Sequence, residues 1–128
     1  MKILIIGLSG SGKTTLADKL SKLLNASWIN ADKIRKKYND WDFSKQGVLR
    51  QAKRMGGLAD SYKTKFVIAD FICPYDHGRN LFDPDYLIWM DTITKGRYPT
   101  FDKSFEKPKN YDFKISNVKY DIDLIISD

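Results

Sequence analysis

Cysteine is nearly absent from this 128-residue chain. Cys73 stands alone, so no intramolecular disulfide can form, and nothing spaced like a zinc site accompanies it; a reducing, cytoplasmic setting is expected. Its expected role is that of a small buried filler. Histidine is equally scarce: His77 lies between Asp76 and Gly78 in a polar stretch and reads as surface or turn chemistry rather than as a base. Long apolar runs are also missing. The run Ile3 to Ile6 is cut short by Gly7 to Lys13, so neither a signal peptide nor a membrane-spanning helix is expected, and no membrane partner. No repeat, low-complexity block or Gly-, Ser- or Pro-rich linker divides the chain, so one domain over 1–128 is expected. With 42% hydrophobic and 30% charged residues, the composition is that of a globular domain able to fold without staples. Acidic residues fall short of basic ones, and the net charge of +6 points to an anionic partner: a nucleotide, a sulfate ester or a nucleic acid.

What is present is an ordered series of short elements. Lys2 to Ile6 is rich in β-branched residues and suits a strand covered on both faces. From Thr14, Leu16, Leu20, Leu23 and Leu24 recur at helical spacing, with Lys19 and Lys22 on the opposite face. Ser27 to Asn30 reads as a second strand, and Asp32 as the cap of a helix reaching about Tyr38. Ser44 starts a third helix whose stripe is Val48, Ala52, Met55, Ala59 and Tyr62, weakened by Gly47, Gly56 and Gly57 but able to pack closely at the paired glycines. Further strands are expected at Lys65 to Ile72, Tyr86 to Met90, Tyr111 to Ile115 and Ile122 to Ile126, with 74–84 a loop and no closing helix. This order implies an α/β fold of three layers, a mostly parallel sheet between two helical layers.

Gly7-Leu8-Ser9-Gly10-Ser11-Gly12-Lys13-Thr14 matches G-x-x-x-x-G-K-[ST], the phosphate-binding P-loop of nucleoside-triphosphate-binding proteins. The strand before it and the helix after it are the required context. Gly7, Gly10 and Gly12 let backbone amides approach phosphate, Ser9, Ser11 and Thr15 complete the loop, and the helix adds its positive N-terminal end. Lys13 supplies a compact charge for the β and γ phosphates of ATP, and the Thr14 hydroxyl is placed to ligate Mg²⁺. A carboxylate near the metal is also expected. Asp70, ending the apolar run Phe66 to Ala69, is one candidate, with turn capping as its ordinary alternative; Asp32, ending the second strand, is the other.

With Thr15 included, the loop resembles the G-L-S-G-x-G-K-T-T of adenylyl-sulfate kinases. Ile29 to Arg35 is similar to that family's L-D-G-D-N-[IV]-R, Asp40 to Ser44 to its D-L-G-F-S, and Phe71 to Tyr75 to its F-I-S-P-[FY]. Lys53-Arg54, Arg79, Phe101 and Phe105 to Pro108 fall in the same order as further family blocks, so the likeness runs from Lys2 to about Ile115. The resemblance implies ATP-dependent phosphorylation of the ribose 3′-hydroxyl of adenylyl sulfate. It would make Lys13 and Asp32 catalytic, with Asp32 positioning the acceptor hydroxyl or metal. Arg35 and Arg54 would hold the acceptor's anionic part, Phe43 would stack on its adenine, and Phe71, Ile72 and Pro74 would wall the site. For Arg35, the ordinary alternative is solvated surface charge among Lys33 to Lys37.

The sequence also departs from that family. Val48 stands in place of an arginine, Gln51 of an asparagine, Cys73 of a serine and Asn30 of an acid. The family's long lid is reduced to about 93–100, where Lys95 or Arg97, with Arg79 behind, would have to neutralise the transferring charge; a short lid implies a wet site, low activity or completion by a partner chain, for instance in a homodimer. Three other readings stand beside adenylyl-sulfate phosphorylation. One is a kinase for another small nucleoside-like acceptor. Another is a polynucleotide kinase or nucleic-acid-binding module, based on the charge and on Trp28, Trp41, Tyr38 and Phe43, and less favoured. The last is a non-catalytic ATP-binding domain.

Overall fold

The computed structural model describes residues 1–126. Five strands form one sheet: β1 (Lys2–Gly7), β2 (Ser27–Asn30), β3 (Val67–Asp70), β4 (Tyr86–Met90) and β5 (Phe113–Ile115), in the order β2-β3-β1-β4-β5. Every pairing is parallel. The central strand shows why. Leu4 and Ile6 point to one face and Ile3 and Ile5 to the other, all of them buried, as the period of two requires of a strand covered on both sides.

The helices build the two outer layers. Against the Leu4 face lie α3 (Lys45–Ser61), through Ala52, Met55 and Ala59, and α4 (Asp76–Phe82), through Phe82. Against the Ile5 face lie α1 (Lys13–Leu24), through Leu16, Ala17 and Leu20, and α6 (Ile122–Ile126), through Ile125. Two further helices, α2 (Ala31–Tyr38) and α5 (Pro99–Ser104), flank the end of the sheet where the parallel strands finish. The expected three-layer α/β fold is therefore present, with the sheet wholly parallel. Among the described residues no helix is long and apolar enough to cross a membrane.

Local sequence explains most boundaries. Ser44 accepts from the Gly47 amide and starts α3 as expected. Gly47 is required there, because a Cβ would be driven into the Asp42 backbone carbonyl. The expected close packing at the paired glycines holds at Gly56, where a Cβ would stand 3.0 Å from the Leu81 carbonyl, whereas Gly57 faces open space.

Three expectations need correction. The cap of α2 is Asn30, whose side chain accepts from the Lys33 amide, so Asp32 stands in the first turn with its carboxylate free of capping. The 74–84 stretch contains α4 rather than only loop. That helix carries few apolar residues and no apolar period, and it forms because α3 offers it a surface at Gly56 and because Gly78 lies against Ala52 and Cys73. Ile122–Ile126 is helical rather than a strand: the Asp121 carboxylate accepts from the Asp123 amide, and Ile122 and Ile125, three apart, turn to the same core while Leu124 is exposed.

Candidate active site

A cleft of about 340 Å³ opens at the carboxyl end of the sheet, beside the loop joining β1 to α1. This is where a ligand is expected in a sheet whose strand order reverses about β1. The loop is held from both ends. Gly7 pairs with Met90 in the sheet, and with φ of 155° it occupies a place where a Cβ would lie 2.7 Å from the Met90 carbonyl, so only glycine fits. Thr92, just after β4, donates to the Ser11 carbonyl at 2.7 Å and ties down the far side. Gly12, in the left-handed conformation at φ of 102°, is the N-cap of α1, and no side chain caps that helix. The amides of its first turn are left for a ligand, and the helix dipole makes that ligand an anion.

Ser9, Gly10, Gly12, Lys13, Thr14 and Thr15 line the cleft. Gly7 and Ser11 do not. They stand behind the loop and shape it; Ser11 Oγ is buried with no hydrogen-bond partner among the described residues. Lys13 is itself buried, and its ammonium donates to the Leu8 carbonyl at 2.8 Å. Burial lowers its pKa from 10.5 to about 8, against the attraction of Asp70 and Asp32, with Arg97 adding to the lowering. A phosphate would replace the carbonyl as partner and restore the full charge.

Asp70, at the end of β3, is 3% exposed and meets the loop directly: Thr14 Oγ1 donates to its Oδ2 at 3.1 Å. Trp28 Nε1 donates to Oδ1 at 2.7 Å, and Asn30 Nδ2 reaches both oxygens at 3.4 and 3.3 Å. Burial raises the Asp70 pKa, and these three donors, with the Lys13 charge, oppose the rise. The donor set suits a hard cation held by oxygen. Among the described residues no group of three or more His, Cys, Asp and Glu side chains is gathered, so a divalent ion here would take most of its ligands from phosphate and water, as Mg²⁺ does. Asp32 is exposed and lines the same cleft.

Beyond the phosphate loop the cleft turns apolar and aromatic. Phe71, Ile72 and Pro74 line it as the sequence suggested, joined by Val48, Gln51 and Cys73. Cys73 has φ of 44°, a strained backbone for a side-chain-bearing residue, and burial pushes its thiol up to about 12, so it is an inert wall. Phe43 stacks on Tyr98 with centroids 5.5 Å apart, and Phe101 meets both edge-on, at 5.8 and 5.9 Å. This triad joins the loop before α3 to the start of α5 and lines the mouth of the cleft with aromatic rings. Tyr98 was not singled out from sequence, although its place beside Arg97 in the lid was the available signal.

The arginines divide sharply. Arg35 is not solvated surface: it is 6% exposed, lines the cleft, donates to the Asp40 carbonyl at 3.0 Å and lies 4.6 Å from the Phe43 centroid. Arg97 is exposed and lines the cleft. Arg54 is withdrawn, because Asp40 and Gln51 hold its guanidinium at 3.1 and 3.0 Å and the Tyr38 ring covers it. Arg79 is withdrawn as well. It is 4% exposed and binds the Cys73 and Glu106 carbonyls and Asp76, bracing the wall from behind. Lys95 is exposed and lies outside the cleft. Three of the expected cations therefore do not line the cleft: Arg54 and Arg79 are claimed by acceptors of the protein itself, and Lys95 lies outside.

Solved structures share this architecture. The Mycobacterium tuberculosis APS kinase CysC, in complex with AMPPNP and APS, superposes with a TM-score of 0.81 at 20% identity, covering 98% of this chain and 92% of that one. A shikimate kinase from Acinetobacter baumannii, in complex with shikimate, gives 0.66 at 17% identity over 98% and 93%. A gluconokinase from Sinorhizobium meliloti 1021 gives 0.67 at 14% identity over 98% and 87%. At these identities the likeness is one of fold, that of P-loop small-molecule kinases. No curated protein matches the sequence. A family model described as "AAA domain" matches residues 3–71, which run from the first strand through the phosphate loop to the carboxylate at the end of β3, and the chain belongs to that family of P-loop proteins.

Proposed function

We propose that the protein transfers the terminal phosphoryl group of Mg²⁺-bound ATP to a hydroxyl of a small nucleotide-like acceptor, and that adenylyl sulfate, accepting at its ribose 3′-oxygen, is the acceptor to test first. The observation that carries this reading is the continuity of one cleft, from Lys13 and Thr14 at the phosphate loop to the aromatic mouth formed by Phe43, Tyr98 and Phe101. Phosphoryl transfer asks mainly for positioning and charge stabilisation, and the residues divide along those lines. The amides opening α1 and Lys13 hold the phosphates. Thr14 and Asp70 would hold the magnesium ion, which when bound neutralises charge between the β and γ phosphates. Asp32 accepts the proton of the acceptor hydroxyl as its oxygen bonds to phosphorus, while the bond to the β-bridging oxygen breaks and ADP leaves. Arg97 faces the transferring group. The rings of Phe43, Tyr98 and Phe101 together pack against the acceptor's flat ring, and Arg35 fixes Phe43. A cytoplasmic site of action agrees with a lone buried cysteine.

The test is ³¹P NMR of ATP, Mg²⁺ and adenylyl sulfate with wild-type protein beside Lys13→Ala. A ribose 3′-phosphate resonance is expected with wild type only. ATP that binds but stays intact with every acceptor tried would overturn the kinase reading in favour of a non-catalytic ATP-binding domain. A second reading of the acceptor has its own support: Val48 replaces an arginine, and Arg54 and Arg79 are withdrawn, which favours an acceptor with less negative charge than adenylyl sulfate. ADP formation across a panel of neutral and anionic hydroxyl compounds separates the two.

A further inference from the structure

Trp28 occupies a position that packing alone does not account for. Trp28 and Asn30, two residues apart on β2, face the same side of the sheet, and Asn30 is the register partner of Asp70 on β3. Both side chains converge on one carboxylate. The indole bond is the shortest that carboxylate receives, 2.7 Å to Oδ1, against 3.1 Å from Thr14 and 3.3 to 3.4 Å from Asn30. An indole can only donate, so it pins Oδ1 to β2 and sets the carboxylate plane. Oδ2 is thereby turned to the phosphate loop, where it takes the Thr14 proton. A threonine hydroxyl that gives its proton to Asp70 keeps its lone pairs for a cation.

From this chain of bonds we infer that Trp28 is a positioning residue for the divalent cation of the phosphate site, acting through Asp70 on Thr14. The inference rests on the phosphate-loop reading of the cleft. It differs from a role in packing, for which the ring of Trp28 against the core around Ile68 would suffice. Groups that orient a ligand-bearing side chain cost about 10- to 100-fold in metal affinity when removed.

The experiment is Mn²⁺ binding followed by electron paramagnetic resonance in the presence of saturating ADP, for wild type, Trp28→Phe and Trp28→His, with metal-free ADP affinity measured by calorimetry on each. Phenylalanine keeps an aromatic ring and loses the donor; histidine restores an N–H. Mn²⁺ affinity is expected to fall about tenfold in Trp28→Phe and to recover partly in Trp28→His, while metal-free ADP affinity stays within about twofold of wild type. A folded Trp28→Phe protein with wild-type Mn²⁺ affinity would overturn the proposal. Should both variants unfold, the wild-type indole ¹⁵N–¹H resonances decide: that of Trp28 must shift more than those of Trp41 and Trp89 when Mg²⁺ joins the ADP complex, and a stationary Trp28 signal overturns the idea. Wild type that binds no ADP at all would instead remove the phosphate-loop reading beneath it.

Discussion

Asp40 organises the aromatic side of the cleft, where the proposed acceptor would bind, without entering it. Its carboxylate receives Arg50 Nε at 3.0 Å and Arg54 Nη2 at 3.1 Å, while its carbonyl receives Arg35, the residue on which Phe43 rests. The Arg50 bond, with the Asp42 amide and Arg54 behind it, holds the Asp40 carboxyl well below the usual carboxylate range. An aspartate in the unfolded chain titrates near 3.9, so the contribution of these bonds is complete above about pH 5 and is lost as pH falls through the native value. Arg50 is half exposed, which screens its share. Asp40→Asn is therefore expected to cost about 1–2 kcal/mol at pH 7 in urea unfolding, a difference that shrinks below pH 4. The acceptor KM is expected to rise as the Phe43 loop loosens. A pH-independent difference would show that the charge of Asp40 is not what holds the loop.

At the scale of elements, two of the three glycines of α3, Gly47 and Gly57, make opposite demands. At Gly47 an added methyl meets the Asp42 backbone in the loop that carries Phe43, whereas at Gly57 nothing stands within 4 Å. Gly57→Ala is expected to stabilise the protein by about 0.5–1 kcal/mol, since alanine is the better helix former and no contact is disturbed. Gly47→Ala should destabilise by about 2 kcal/mol or more, because the clash lies against backbone that has no free direction to yield. Chemical denaturation of both variants checks the pair, and equal effects would refute the distinction. In the sequence both were a cost to helix propensity, and close packing was expected at Gly57, with Gly56, rather than at Gly47. Their difference is created by the loop folding back over the first turn of α3.

At the scale of the molecule, the cleft at the carboxyl end of the sheet is lined on one side by Arg97, Tyr98 and Phe101, in and just before α5. The resemblance implied that a lid reduced to a few residues means a wet site, low activity or completion by a partner chain. In the structure Tyr98 and Phe101 reach Phe43 across the cleft. Tyr98→Ala is then expected to raise the acceptor KM about tenfold and to increase the share of ATP lost to water, since an uncovered site admits water as a competing acceptor. The ratio of free phosphate to transferred phosphate measures this. An unchanged ratio would mean that the triad does not close the site during turnover.

What the sequence determined by itself is what is local. The phosphate loop was readable because eight consecutive residues carry its sequence pattern, although Met90 and Thr92 hold it from β4 and just beyond, and β1, β2, β4 and the first three helices because the residues that signal them lie within each segment. Asp70 was readable as a carboxylate at the end of an apolar strand, but not its bond to Thr14, which joins residues 56 apart. Which cations face the cleft was decided only in three dimensions. Arg54 and Arg79 carry the same charge in sequence as Arg35 and Arg97, yet Asp40 claims one and the carbonyls of Cys73 and Glu106 claim the other. A guanidinium goes to the nearest unsatisfied acceptor, and acceptors from distant parts of the chain become near only once the parallel sheet has brought its loops to one end.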